Sequence, residues 1–584
     1  MKNIDFDFLR NKSVQVWRET LKIHKNATET RIASSVSPIE IFVVLYYGKL
    51  LNYYPEDRYN KLRDRFVISK GHGSISMYPI LSDLGFFNKL ELDKICKFGG
   101  ILGGIPDPTV PGYETINGSL GHGLGVASGM ALGLKRSNNN SNVFVLTGDG
   151  ELHEGSNWEA IMFASHHKLD NMNLIIDNNK ACMLGHTINV LSNGDLVERF
   201  SSFGWGCYTA DGHNVEELHH SILEMKNTRK EKPKVLIADT IKGKGLPGIE
   251  NEPLAHIMNP SHDLIFYMSN TKPIAMRDAL IERIWVKMKN NKNIFFVSAD
   301  FGSPVLDKIR NDFPNQFVNV GVAEQNLINV SVGLALEGYI VFVYAIAPFI
   351  PMRCYEQIRV NIALLSEVRP MNINLIAVGA GVSYAISGPT HQCYEDISLM
   401  RALPNLTILS PSDHIVSKCM FDYCVNNKKP KYIRLDVQPL PVLYDKYAVD
   451  IEDGFYEYFS QDGGTCFIST GYMTHTALKV SQKLTNKVTV IDIFNLTGFS
   501  YEKLKKILSL YSRVITFEEG FYGRGGLDSI IFNMLLNENT KVFNIGVKPK
   551  YTFKIGNRSE LHEEVGISIG AILEKIKSNF KEVI

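Results

Sequence analysis

In the first 255 positions, short apolar runs (Val143-Phe144-Val145-Leu146, Leu174-Ile175-Ile176, Val235-Leu236-Ile237-Ala238) alternate with helical patterns of apolar and polar residues. Stretches rich in Gly, Asn and Asp connect them, and this alternation predicts a parallel sheet with helices on both faces. The polar run Arg136–Asn142 reads as a solvated turn ahead of a strand, and Lys226–Lys234, containing Pro233, as a solvated charged loop. Pro253, Pro260 and Pro273 stand in a stretch with little periodicity, which places a linker at 256–272. A second block follows at 273–440, with strands near Ile294–Ser298 and Asn374–Val378. After the segment Pro439–Phe455 comes a third block, 455–584, with strands near Cys466–Ser469, Val488–Ile493 and Val514–Phe517. The expected fold class is α/β: three consecutive α/β domains with mainly parallel sheets. Val332–Ile350 is the most membrane-like stretch, but it carries Glu337, Gly338 and Pro348 and predicts a buried helix running into a buried strand.

Composition narrows the function. At 584 residues with 45% hydrophobic and 21% charged residues, the chain is globular rather than disordered or fibrous. The charge sum, 62 − 61 = +1, leaves no electrostatic footprint for nucleic acid or an anionic membrane. A small-molecule substrate is the default reading. The eight cysteines are scattered without a CxxC pair, which argues against a zinc or redox site and for buried free thiols. The N-terminus lacks the apolar core of a signal peptide, so a reducing cytoplasm is the expected compartment.

Gly148-Asp149-Gly150 follows one apolar strand, and Asp177-Asn178-Asn179 follows the next. Both lie at carboxyl ends of parallel strands, where open α/β sheets bind ligands. A carboxylate, a carboxamide and a backbone carbonyl make an oxygen-only shell suited to magnesium, which completes its octahedron with phosphate oxygens and water. Gly148 and Gly150 allow a diphosphate to approach the backbone.

A GDG followed about thirty residues later by Asn-Asn resembles the thiamine diphosphate signature, and its details resemble transketolase. Gly71-His72-Gly73-Ser74, Gly118–Gly123, Gly148–Gly155 and Lys242-Gly243-Lys244-Gly245 match that family in order. So do Gly321-Val322-Ala323-Glu324-Gln325-Asn326 and Gly388-Pro389-Thr390-His391-Gln392; the Glu518–Leu527 stretch matches less closely. The resemblance implies a diphosphate-binding domain (1–255), a pyrimidine-binding domain (273–440) and a C-terminal domain (455–584). Asp149, Asn179 and the Ala181 carbonyl would hold magnesium, or another divalent cation such as calcium. His72, His256, Gly150 and the backbone of Gly118, Ser119 and Leu120 would contact the cofactor. Glu154 would join a polar network linking the two active sites of a homodimer. Glu324 would hydrogen-bond the aminopyrimidine, Phe349 would stack on it, and His391 would contact the substrate.

The implied reaction moves a two-carbon ketol unit from a ketose to an aldehyde through a carbanion/enamine on the cofactor. Several substrate positions depart from the family pattern. Arg31 and Ile105 replace substrate-binding histidines, Ser387 replaces an aspartate, and Gly379 falls where a histidine holds the acceptor phosphate. Near Asp436, where a phosphate-binding arginine is usual, Arg434 is a candidate substitute, while Arg277 is retained at the mouth. A non-standard sugar acceptor, such as a nucleotide-linked sugar, is therefore expected. The alternatives are a 1-deoxyxylulose 5-phosphate synthase, suggested by Arg31–Ser35 and Leu409–Asp413, another decarboxylating thiamine diphosphate enzyme, or a non-catalytic paralogue.

Overall fold

The computed structural model describes residues 4–27, 30–116, 118–228, 230–246, 248–252, 274–444, 449–459 and 464–580. Among these the strands form three sheets. The first contains β1 (Arg65–Ile68), β2 (Val143–Gly148), β3 (Met172–Asn178), β4 (Gly206–Asp211) and β5 (Lys234–Asp239), in the order β1-β2-β3-β5-β4. The second contains β6 (Ile294–Ser298), β7 (Phe317–Asn319), β8 (Ile340–Ile346), β9 (Asn372–Val378), β10 (Thr407–Leu409) and β11 (Lys431–Leu435), in the order β10-β11-β9-β8-β6-β7. Every pairing in these two sheets is parallel. The third contains β12 (Phe455–Phe459), β13 (Thr465–Ser469), β14 (Thr489–Ile493), β15 (Arg513–Phe521) and β16 (Lys541–Val547). It is mixed, because β12 runs antiparallel along β14 at one edge.

The described residues divide into two compact units. One holds the first sheet together with Gly321–Ala323 and Ile386–Thr390, and the other holds the second and third sheets.

Burial explains why the short apolar runs become strands. In β2, Phe144 and Leu146 pack on one side with Ile39, Phe42 and Ile175, while Val143 and Val145 pack on the other with Leu124, Ile161 and Leu174. Each such side chain is worth about 1.5–3 kcal/mol of burial, so the sheet is stabilised from both faces. The membrane-like stretch divides as expected into the end of the helix Glu324–Leu336 and strand β8. No helix among the described residues is long and apolar enough to cross a membrane.

Two expectations need correcting. The charged run 226–234 is engaged at both ends. Lys226 Nζ donates to the Leu50 carbonyl at 2.5 Å and to Asp64 at 3.0 Å, and Lys234 is buried at the head of β5. Of the eight cysteines, Cys96, Cys207 and Cys419 are only partly buried; Cys207, for example, lies on β4 at the sheet edge.

Candidate functional site

The diphosphate-side residues gather at the carboxyl edge of the first sheet. β2 and β3 pair with Gly148 opposite Asp177, and the Asp149 N–H donates to the Asp177 carbonyl at 3.3 Å. Asp149 and Asn179 therefore leave neighbouring strands on the same edge. Asp149 is buried, and its Oδ2 has no hydrogen-bond partner among the described residues. Burial, and after it the negative charge of Asp177, push the Asp149 carboxyl up to about 7. Asp177 itself is fully engaged by Lys70, by Thr240 and by Ser37 at 2.7 Å. Burial works against its charge, but Lys70 and the hydroxyl donors hold its carboxyl below the usual range.

Asn179 is buried, and its Oδ1 accepts the Ala181 N–H at 3.2 Å. Lys180 has φ 59°, which reverses the chain so that Ala181 pairs with His186 and the Thr187 N–H returns to the Lys180 carbonyl at 2.9 Å. Lys242, from the Lys-Gly-Lys-Gly motif, donates to the Cys182 carbonyl at 2.5 Å and anchors this loop. A buried carboxylate oxygen without a partner, beside a carboxamide and backbone carbonyls, fits a hard divalent cation. No group of three or more His, Cys, Asp or Glu residues suited to a metal occurs among the described residues.

Glu151 fixes the neighbouring turn. Its carboxylate accepts the Gly121 N–H at 2.9 Å, the Gly148 N–H at 3.2 Å and the Ser69 hydroxyl, while Ser69 Oγ accepts the Gly123 N–H at 3.1 Å. The Gly-Asp-Gly turn is thus tied to the start of the helix Gly123–Arg136. Gly121 has φ 83°, and a Cβ there would lie 2.7 Å from the Glu154 Cβ, so only glycine fits. Glu154 is buried at the N-cap of the helix Gly155–His166, and Gly150 opens the one-turn helix after Asp149. Gly118, Ser119 and Leu120 are half-buried in the loop before Gly123. His72 is half-buried within the turn Gly71–Gly73 after β1. Arg31 precedes the helix Ile32–Val36, and Ser387 closes the turn Ala385–Ser387; both are half-buried, as is Ile105. His256 lies outside the described residues.

In the second unit, Glu324 begins the helix Glu324–Leu336 and is buried. Arg353 Nη1 donates to Glu324 Oε2 at 2.7 Å, and the Arg353 guanidinium lies 4.9 Å from the Phe349 ring centroid. Phe349 and Arg353 bound a π-helical turn, a wound-out geometry often found at functional positions. The buried His391 ring meets Phe349 edge-on at 5.5 Å and Tyr384 at 5.9 Å. Glu324, Phe349 and His391 thus belong to one cluster, joined by Arg353 and Tyr384, which sequence reasoning missed. Arg353 stands four residues after Phe349, a helical spacing that could have flagged it.

The arginines near the expected acceptor site are engaged within the protein. Arg277 pairs with Asp278 through Nε at 2.9 Å and Nη2 at 3.3 Å. Arg434 is buried and forks onto Asp396 at 2.8 and 3.2 Å. Gly379 has φ 113°, and a Cβ there would meet the Tyr384 ring at 2.5 Å.

Residues 25–265 match the transketolase thiamine diphosphate binding domain, and residues 272–442 match the transketolase pyrimidine binding domain. The chain belongs to the transketolase family. Its first sheet falls within the first of these family domains and its second sheet within the other. Transketolase of Pongo abelii is 30% identical over 93% of each chain. Transketolase of Homo sapiens and transketolase-like protein 2 of Mus musculus are each 29% identical, with the same coverage. Among solved structures, a transketolase from Campylobacter jejuni covers 98% of this chain and 100% of its own, with 21% identity and a TM-score of 0.46.

Proposed function

We propose that this transketolase-family chain is a transferase that moves a two-carbon ketol unit from a ketose donor to an aldehyde or sugar acceptor. The observation that carries the reading is Asp149: a buried carboxylate with an unpartnered oxygen, on the strand edge it shares with Asn179. Asp149, Asn179 and the Ala181 carbonyl would hold a magnesium or calcium ion. His72, His256, Gly150 and the Gly118–Leu120 backbone would receive the diphosphate. Thiamine diphosphate, when bound, supplies the electron sink for breaking a carbon–carbon bond beside a carbonyl.

The chain's own residues orient and exchange protons. Glu324 Oε2 is held by Arg353, which leaves Oε1 as the atom for proton exchange with the pyrimidine ring nitrogen. Phe349 offers a face for the pyrimidine. His391, braced by Phe349 and Tyr384, would donate or accept at the substrate hydroxyl or carbonyl next to the reacting carbon. Arg31, Arg277 and Ser387 remain the candidate substrate contacts.

The acceptor reading rests on Gly379 and Tyr384. The Tyr384 ring fills the space a side chain at 379 would need, so no imidazole can project there toward a phosphate. A sugar whose anionic group lies elsewhere, as in a nucleotide-linked sugar, suits Arg31 better. Glu154 would join a network between two active sites, which makes the working form a homodimer. With eight cysteines all free, the cytoplasm is the fitting compartment.

The test incubates the protein with thiamine diphosphate, magnesium and a panel of ketoses and 2-oxo acids, then traps the cofactor-bound adduct for mass measurement. From a ketose, a two-carbon ketol adduct without carbon dioxide release is expected; carbon dioxide from 2-oxo acids with no adduct from any ketose would overturn ketol transfer. Efficient use of ribose 5-phosphate as acceptor would overturn the acceptor reading. Full activity from a monomer in sedimentation and dilution assays would overturn the dimer.

A further inference from the structure

One arginine of the third sheet's layer joins strand β15 to the loop that follows β11. Arg558 opens the helix Arg558–Glu564, whose start is fixed by a capping box between Asn557 and Glu560. Its Nε and Nη2 donate to the two oxygens of Glu519 at 2.9 and 2.7 Å, and its Nη1 donates to Asp436. His562, one turn along, also bonds Glu519, and the guanidinium lies 3.6 Å from the Tyr472 ring centroid. Glu519 and Asp436 are both buried. Burial opposes the Glu519 charge, but Arg558 and His562 hold its carboxyl well below the usual range.

The two carboxylates sit on either side of one turn. Glu519 packs against Gly381, where a Cβ would lie 2.7 Å from the Glu519 Cβ. Asp436 follows Leu435, whose carbonyl accepts the Gly379 N–H at 2.8 Å and the Ala380 N–H at 3.1 Å. Gly381 exchanges backbone hydrogen bonds with Cys393 at 3.1 and 2.8 Å. Tyr384 follows this turn, and His391 stands two residues before Cys393.

We propose that Arg558 is a positioning residue for substrate: by fixing Glu519 and Asp436 on the two sides of the Gly379–Gly381 turn, it sets Tyr384 and His391. This rests on the transfer reading for its substrate, but the clamp itself does not. It gives the C-terminal domain a task in the site without placing any of its residues on the reacting atoms. A fork of three N–H groups satisfies this geometry; a lysine ammonium supplies the charge without the fork.

The test uses the full chain with thiamine diphosphate and magnesium, comparing Arg558→Met and Arg558→Lys with the unaltered protein. In Arg558→Met, amide hydrogen exchange at Gly381, Ser383 and Cys393 should rise at least tenfold. The KM for the sugar substrates should rise at least tenfold, kcat should change less than threefold, and cofactor affinity should stay within twofold. Arg558→Lys should recover part of the KM effect. Unchanged exchange at those amides, or an equal loss of kcat, cofactor affinity and melting temperature, would overturn the clamp. If Arg558→Met does not fold, Asp436→Asn removes one arm and should raise the same exchange and the same KM. Absence of turnover in the unaltered protein would overturn the transfer reading, while the exchange result would still decide the clamp.

Discussion

The central strand of the first sheet is entered through Asn171-Met172-Asn173 and that of the second through Asn372-Ile373-Asn374. All four carboxamides are buried and donate to neighbouring groups: Asn171 to the Ala131 carbonyl at 2.8 Å, Asn372 to the Val425 carbonyl at 2.9 Å. The next strand over begins with a buried lysine after a proline in both sheets. Lys234 donates to the Asp170 carbonyl and to the Thr228 carbonyl at 3.0 Å. Lys431 donates to Asn372 Oδ1 at 2.9 Å, to the Cys424 carbonyl at 3.0 Å and to the Asn427 carbonyl. Strand order agrees as well: β1-β2-β3-β5-β4 corresponds to β6-β8-β9-β11-β10, with β7 added at the edge. At the carboxyl ends the likeness stops. The first sheet offers Asp149 and Asn179; after β9 of the second come Gly379 and an aromatic cluster. The amino ends satisfy backbone carbonyls that burial would otherwise leave bare, and the carboxyl ends are free to differ in chemistry.

The sharpest way to break this division is at Asp149. Asp149→Ala should weaken magnesium-dependent binding of thiamine diphosphate at least a thousandfold in calorimetry, with little change in melting temperature. Next in size, Glu324→Gln should keep the cofactor and lose at least a hundredfold in turnover, measured in the same preparation. At the amino ends the pattern should invert. Lys234→Met and Lys431→Met should each cost about 1–3 kcal/mol in denaturant titrations, by stranding carbonyl acceptors, while cofactor affinity stays unchanged. The smallest effect concerns pH. Burial pulls Lys431 down to about 8 from its ordinary 10.5. Between those values the unfolded chain binds more protons than the folded one, so this group makes stability rise with pH across that window and not below it. Lys431→Met should remove that rise, on the order of 1 kcal/mol, in unfolding curves from pH 7.5 to 10.

Where the candidate residues stand was partly legible because several sit in short, ordered segments. Gly148-Asp149-Gly150 and Asn178-Asn179 each follow an apolar run, and that local pattern alone places them on a strand edge. Alternating apolar runs and helical patterns likewise predicted parallel sheets, since burial on both faces requires continuous apolar strands. What escaped were partners far apart in the chain. Lys70 meets Asp177 across 107 positions, and Arg558 meets Asp436 across 122, with no spacing rule to connect them. Arg434 shows the same limit: only the fold reveals Asp396, 38 positions away, as its partner. The antiparallel β12 escaped too, because its residues follow a loop and pair with a strand that comes later in the chain.

The Arg558 clamp also constrains how this chain can change over generations. An arginine arriving at position 436 would face Arg558 across a buried space now closed by opposite charges, and like charges there repel strongly. Loss of Arg558 first would leave Glu519 with His562 alone and Asp436 without its cation. Each single step therefore passes through a weakened protein, although the two changes together would balance the charge. Positions 436 and 558 should be inherited as a pair, and lineages carrying this aspartate should keep this arginine, whatever substrate they come to use.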